Sequence, residues 1–165
     1  MSLKEKIANN LKSALKGKRE LEISTLRQLL AAIVNKEKEK RAKIAKRKEE
    51  IREEELVKES ELSDEEVLEV ISSEMKKRRE AIEGFQKGGR RDLVEKEKAE
   101  LEILQNYLPE QLSEEEIKKL VKEAIERVRA SGQKDMGKVM GELIPKIKGK
   151  AEGGVVSQIV KELLG

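Results

Sequence analysis

Cysteine, histidine and tryptophan are absent from the 165 residues, and there is a single tyrosine, a single phenylalanine and two prolines. Without Cys or His the chain has no thiolate nucleophile, no imidazole base, no disulfide and no Cys/His zinc site, so any catalysis falls to carboxylates, Lys, Ser/Thr or Tyr107. No cofactor or metal is expected. The longest apolar run, Leu29 to Val34, is far short of the roughly 20 residues that cross a membrane. The N-terminus lacks a secretory pattern, and a cytoplasmic protein is expected. Scarce aromatics also limit how a nucleic acid could be held. Single strands are gripped by stacking bases on rings, and only Phe85 and Tyr107 are available, both on apolar stripes. A polyanion would have to be recognised by shape and backbone charge.

What the chain has in abundance is charge of both signs. Asp, Glu, Lys and Arg make up 43% of residues, 37 cations against 34 anions, while the hydrophobic share is 36%. Thin amphipathic helices follow from that balance. Richness in Lys and Glu with no Cys also suits a heat-tolerant source. The net charge of +3 predicts no partner, but a local basic face would, because it concentrates the field that attracts phosphates.

Every segment of useful length reads as helix, since apolar residues recur at three- and four-residue intervals and nothing alternates like a strand. Leu3, Ile7, Leu11 and Leu15 form a stripe that Gly17 ends, and Leu26, Leu29, Leu30 and Ile33 form a second from near Lys18. Residues 36–61 thin to Ile44, Ile51, Leu56 and Val57 among mixed charges with no Gly or Pro. They read as a solvated or frayed helical arm, or as a short coiled-coil hairpin. Ser63 and Ser113 each precede an acidic triplet, with Glu three residues on and an apolar pair flanking it, the pattern of a capping box and staple. Those carboxylates are accordingly assigned to capping rather than to chemistry.

The Ser63 helix carries Val67, Leu68, Ile71, Met75, Ile82 and Phe85 as far as Gly88-Gly89; a helix from about Arg91 carries Val94, Leu101, Leu104 and Leu108 to Pro109. Proline pushes the residue before it out of helical space, which marks a boundary. The expected fold is therefore all-α in two helical subdomains. Residues 1–108 hold about four helices and the 36–61 charged arm, and residues 109–165 a three-helix subdomain.

The segment Lys134 to Lys148 separates into two faces at about 100° per residue. Met136, Val139, Met140, Leu143, Ile144 and Ile147 lie on one side; Lys134, Gly137, Lys138, Gly141, Pro145 and Lys148 lie opposite. Glycine inside a helix costs about 1 kcal/mol relative to Ala, and Lys134 with Lys138 is a repelling pair. A phosphate backbone would compensate both, because glycine lets another chain approach and lysine neutralises its charge. Alternatively the glycines admit a neighbouring helix and the lysines stay in water. Pro145 is expected to kink or end the helix, leaving Lys146 to Lys150, with Gly149 among them, as a short turn presenting lysines. A secondary basic turn is Gly88-Gly89-Arg90-Arg91, where open backbone N–H groups could help hold a phosphate. Lys76 to Arg79 wraps around its helix and reads as solvated surface.

Across nearly its whole length the chain resembles the GatB/YqeY family. The likeness runs through Leu26-Arg27, Leu62 to Val67, Gly89 to Leu93, Glu97 to Glu100, Tyr107-Leu108-Pro109, Asp135 to Gly141 and Gly149-Lys150-Ala151. The resemblance implies an all-α protein of two subdomains, akin to the tail of the B subunit of glutamine-dependent aspartyl/glutamyl-tRNA amidotransferase, which helps hold tRNA. By that likeness Gly137, Lys138, Gly141, Gly149 and Lys150 face tRNA. The family label of carbon–nitrogen ligase with glutamine as amido-N-donor would be inherited from other domains, since no amidase-like stretch and no phosphate loop is present. Residues 36–61 depart from the expected pattern, where a shorter polar connection would be typical.

Two functions follow. The first is a non-catalytic tRNA-binding or amidotransferase-associated module of translation, with folded RNA, tRNA above all, as ligand and amidotransferase or other translation proteins as partners. The alternative is a protein–protein interaction module without a nucleic-acid ligand. Neither DNA nor a membrane is an expected partner. An autonomous ligase or amidase is disfavoured because no nucleophile–base pair lies within a plausible motif.

Overall fold

A computed structural model describes residues 1–165 and shows an all-α chain without a strand. It forms two compact units, Met1–Tyr107 and Leu108–Gly165. The first contains α1 (Leu3–Lys16), α2 (Glu20–Arg47), α3 (Glu53–Ser60), α4 (Asp64–Lys87) and α5 (Arg91–Gln105). Its core is built from Ile7 and Ala14 of α1, Ile23, Leu26, Leu29 and Ile33 of α2, Val67, Ile71 and Met75 of α4, and Val94 and Leu104 of α5. The α1 stripe departs from expectation at one end. Leu15 is 44% exposed and Ala14 is buried, because three successive steps of four residues drift about 120° around the helix whereas a final step of three returns to the core line.

Residues 36–61 take the hairpin form. The 28-residue α2 projects to Arg47 and α3 folds back beside it. Lys48 pairs with Glu59 at 2.7 Å, Arg41 Nε donates to Ser60 Oγ at 3.2 Å, and Lys40 Nζ donates to the Glu61 carbonyl at 2.9 Å. At its base the buried Glu37 carboxylate receives Lys4 Nζ at 2.7 Å and the Leu62 amide at 3.3 Å. A segment poor in apolar residues is thus closed by polar pairs between its two limbs.

The capping boxes at Ser63 and Ser113 both form, each hydroxyl accepting from the N–H three residues on while that residue's Glu accepts from the Ser N–H. Asp64, next to the first, also accepts from the Leu3 N–H at 2.8 Å and so caps α1. The cationic run Lys76 to Arg79 is the expected solvated surface at Lys76 and Lys77, which are exposed, but not at the two arginines. Arg78 is buried, donating to Glu100 at 3.1 Å, to the Glu74 carboxylate at 3.2 Å and to Gln28 at 2.8 Å. Arg79 is half-buried, and that burial lowers its pKa. One position in a wrapped cationic run points inward whenever both flanks of the helix are covered. Arg78 found three polar partners there.

The second unit holds α6 (Glu114–Val128), a 3-10 turn (Gln133–Asp135), α7 (Met136–Ile147) and α8 (Gly153–Leu164). Ile117, Val121 and Ala124 of α6, Val139, Leu143 and Ile147 of α7, and Val156, Ile159 and Val160 of α8 close a single small core. The left-handed Arg129, φ 54°, ends α6. The loop before α6 is tied to the turn after α7: Gln111 Nε2 donates to the Gly149 carbonyl and the Leu112 N–H to the Lys150 carbonyl, both at 2.8 Å.

Candidate functional site

α7 is amphipathic by necessity, since only Val139, Leu143 and Ile147 fully face the core while Met136 and Met140 pack at its margin. Ile144, expected on the buried stripe, is 52% exposed. It lies about 80° from the stripe's centre, beside the glycine face. On the outer side Gly137, Lys138, Gly141 and Pro145 are all exposed, as are Lys134 in the preceding 3-10 turn and Lys148 and Lys150 after the helix. A β-carbon placed on Gly137 or Gly141 meets no atom within 4 Å beyond the helix's own turn. Within this unit, then, no neighbouring helix occupies the glycine surface.

Pro145 does not end the helix, which runs on to Ile147 with the Lys148 N–H donating to the Ile144 carbonyl at 3.1 Å. Proline in the last turn forgoes only one hydrogen bond, to a carbonyl on the solvent side. In consequence Lys146 belongs to the helix, 3.6 Å from Glu142, and is not part of the lysine turn. The turn proper is Lys148 to Lys150, with Gly149 at φ 74°, a left-handed conformation that favours glycine. Because the Gly149 and Lys150 carbonyls accept from Gln111 and Leu112, this turn is pinned to the unit rather than free.

Charge on the face is partly balanced. Asp135 accepts from the Ser131 N–H at 2.9 Å, which holds its carboxyl below the usual carboxylate range, with Lys138 and Lys134 adding to the effect. Lys138 Nζ lies 3.8 Å from Asp135 and remains largely exposed. Glu142, on the flank away from the glycines, is engaged by Arg127 at 2.7 Å, and that hydrogen bond depresses its pKa. Lys134, Lys138, Lys148 and Lys150 are exposed along this segment, and Gly137 and Gly141 are bare on the outer side of α7.

The secondary basic turn is arranged differently. Gly89 has φ 68°, but the N–H groups of Gly88, Gly89 and Arg90 already donate to the carbonyls of Gly84, Gln86 and Phe85. Arg90 is tied to Asp92 at 3.2 Å, a contact that raises its pKa. Arg91 is exposed. That turn caps α4 and offers one open guanidinium, not a nest of N–H groups.

An all-helical chain with a cationic, glycine-bare helix face is the class of protein that the fold and this surface define. A family profile described as Yqey-like protein matches residues 35–164, and the chain belongs to that family. The matched span includes the 36–61 hairpin. The chain is 33% identical over 159 residues to a protein of Pyrenophora tritici-repentis named altered inheritance of mitochondria protein 41, mitochondrial, covering 94% of this chain and 77% of that one. A protein of the same name from Eremothecium gossypii is 35% identical over 103 residues, 62% of this chain and 46% of the relative. An uncharacterized protein of Schizosaccharomyces pombe is 45% identical over 51 residues, 31% of this chain and 42% of its own. The names of the first two overturn the expected cytoplasmic location. That expectation rests on the lack of a membrane-crossing run and of a secretory pattern, neither of which distinguishes the cytoplasm from a mitochondrial location. No helix here is long and apolar enough to cross a membrane, and such a lack is shared by proteins of the mitochondrial interior.

Proposed function

We propose that the protein is a non-catalytic RNA-binding module whose α7 face and following lysine turn lie against the backbone of a folded RNA, tRNA above all. One observation supports this reading: the packing of the second unit gives no use for Gly137 and Gly141, whose outer sides are open within it. Glycine weakens a helix, so a close-lying ligand is what the two positions suit, and Lys134, Lys138, Lys148 and Lys150 supply the charge that a phosphate backbone requires. Association with amidotransferase or other translation proteins extends the reading through the family resemblance. The test is a salt series on tRNA binding against an equal mass of unstructured RNA. Affinity should favour tRNA and fall with a log–log slope of about 0.9 per phosphate contacted, and Lys138→Ala/Lys150→Ala should reduce that slope by about 2. A variant with unaltered affinity and slope would refute the assignment.

The alternative of a protein-interaction module draws on Ile144, half-exposed beside the glycines, since an apolar side chain next to a bare backbone also suits a partner helix. A stoichiometric protein partner that survives nuclease and high salt, and is lost in Ile144→Glu, would favour it over RNA.

A further inference from the structure

The chain's one tyrosine is not spent on the α7 face. Tyr107 lies at the end of α5, half-buried, in a recess of about 380 Å³ lined by Lys6, Asn10, Glu22, Ile103, Asn106 and Tyr107 itself. Three helices, α1, α2 and α5, contribute these groups, so the recess is held by the packed core of the first unit. Its floor is positioned by Asn10, whose Nδ2 donates to the Tyr107 oxygen at 2.7 Å. The phenolic O–H is therefore left to donate, and the Asn10 carbonyl to accept. Burial raises the Tyr107 pKa, Asn10 opposes that and the charge of Glu22 adds to it, so the phenol stays a donor at neutral pH.

The remaining groups are divided by sign. Lys6 is exposed and Asn106 terminates α5 at the surface; neither side chain has a partner within the chain. Glu22 takes the Arg19 Nε on Oε2, leaving Oε1 to accept. One small concavity thus presents an ammonium, a phenolic O–H and an amide as donors, and a carboxylate with an amide carbonyl as acceptors. A neutral or singly charged solute satisfies only half of them.

We infer that this recess binds a free α-amino acid, its carboxylate received by Lys6, Asn106 and the Tyr107 hydroxyl and its ammonium by Glu22 and the Asn10 carbonyl. A volume of about 380 Å³ accommodates a small polar side chain beside the two charged ends. Ile103 supplies the apolar wall. The site lies in the first unit and does not depend on the α7 face.

With one Tyr and no Trp in the sequence, intrinsic fluorescence reports this recess alone. The experiment titrates the full chain, free of RNA, with L-serine and L-glutamine up to about 20 mM, a range that reaches weak binding of about −3 kcal/mol. Acetate and ethylammonium serve as single-charge controls. Saturable change with an amino acid and none with either control is expected. Lys6→Ala and Glu22→Gln should each weaken binding about tenfold with the helical circular dichroism unchanged. Tyr107→Phe, followed by calorimetry, should weaken it as well. Equal response to acetate would reduce the site to an anion contact and overturn the inference, as would an unaltered titration in Lys6→Ala or no response at all. Because RNA is absent, these outcomes leave the reading of α7 untouched.

Discussion

Arg78 shows how much one side chain can carry in a unit with a thin apolar core. Its guanidinium joins α4 to α5 through Glu100 and to α2 through Gln28. Arg78→Ala should cost about 3–5 kcal/mol, because it leaves the buried Glu100 carboxylate without a counter-charge, whereas Arg78→Met with Glu100→Leu should recover most of that loss. Urea unfolding of the single and double variants measures both, and a single variant within about 1 kcal/mol of the parent would show that water replaces the guanidinium. This network was illegible in the sequence for a plain reason. Arg78 and Glu100 are 22 residues apart, and nothing local distinguishes Arg78 from the three cations around it. The glycine face, by contrast, was legible because its residues share one helix, and helical geometry alone sorts them onto one side.

At the scale of the element, what could be read was what is short-ranged. Capping boxes link residues only three positions apart, so Ser63 and Ser113 mark their helices in the sequence, and both boxes form. Ser113→Ala should destabilise the second unit by about 1 kcal/mol, seen as faster amide exchange in the first turn of α6; unchanged exchange would mean that the Glu116 half of the box suffices. The closure of α2 and α3 into a hairpin was less legible. Its ties, Lys48 to Glu59 and Arg41 to Ser60, are pairings of common residues across 11 and 19 positions, and mixed charge offers many equivalent partners. α7 continues past Pro145 because a proline in a last turn forgoes a single bond, and Ile144 falls outside the core because a stripe read from periodicity has no sharp edge.

For the molecule as a whole, stability at acid pH follows from carboxylates that the fold keeps ionised. Lys40 and the Ser63 N–H depress Glu66, the Ser113 N–H depresses Glu116, the Ser131 N–H depresses Asp135 and Arg127 depresses Glu142. A group lowered in the folded state contributes stability above its unfolded pKa and loses it as pH falls through the folded value. Thermal stability should therefore be flat near neutrality and decline as pH drops below the unfolded values of 4.5 for the glutamates and 3.8 for Asp135. Glu66→Gln/Glu142→Gln should show a shallower decline in scanning calorimetry. Equal slopes would place the acid sensitivity elsewhere.

The central claim is that α7 keeps a bare, cationic outer side for a polyanion to lie on. Gly137→Ala/Gly141→Ala tests it without touching a charge. Space for both methyl groups exists, so the variant should be more stable, by about 1 kcal/mol at the mid-helix Gly141 and less at Gly137 in the first turn. Measured on the same preparation, tRNA affinity should fall about tenfold, or ~1.4 kcal/mol, as the added carbons hold the backbone away. A variant that gains stability and binds tRNA as tightly as the parent would contradict the claim.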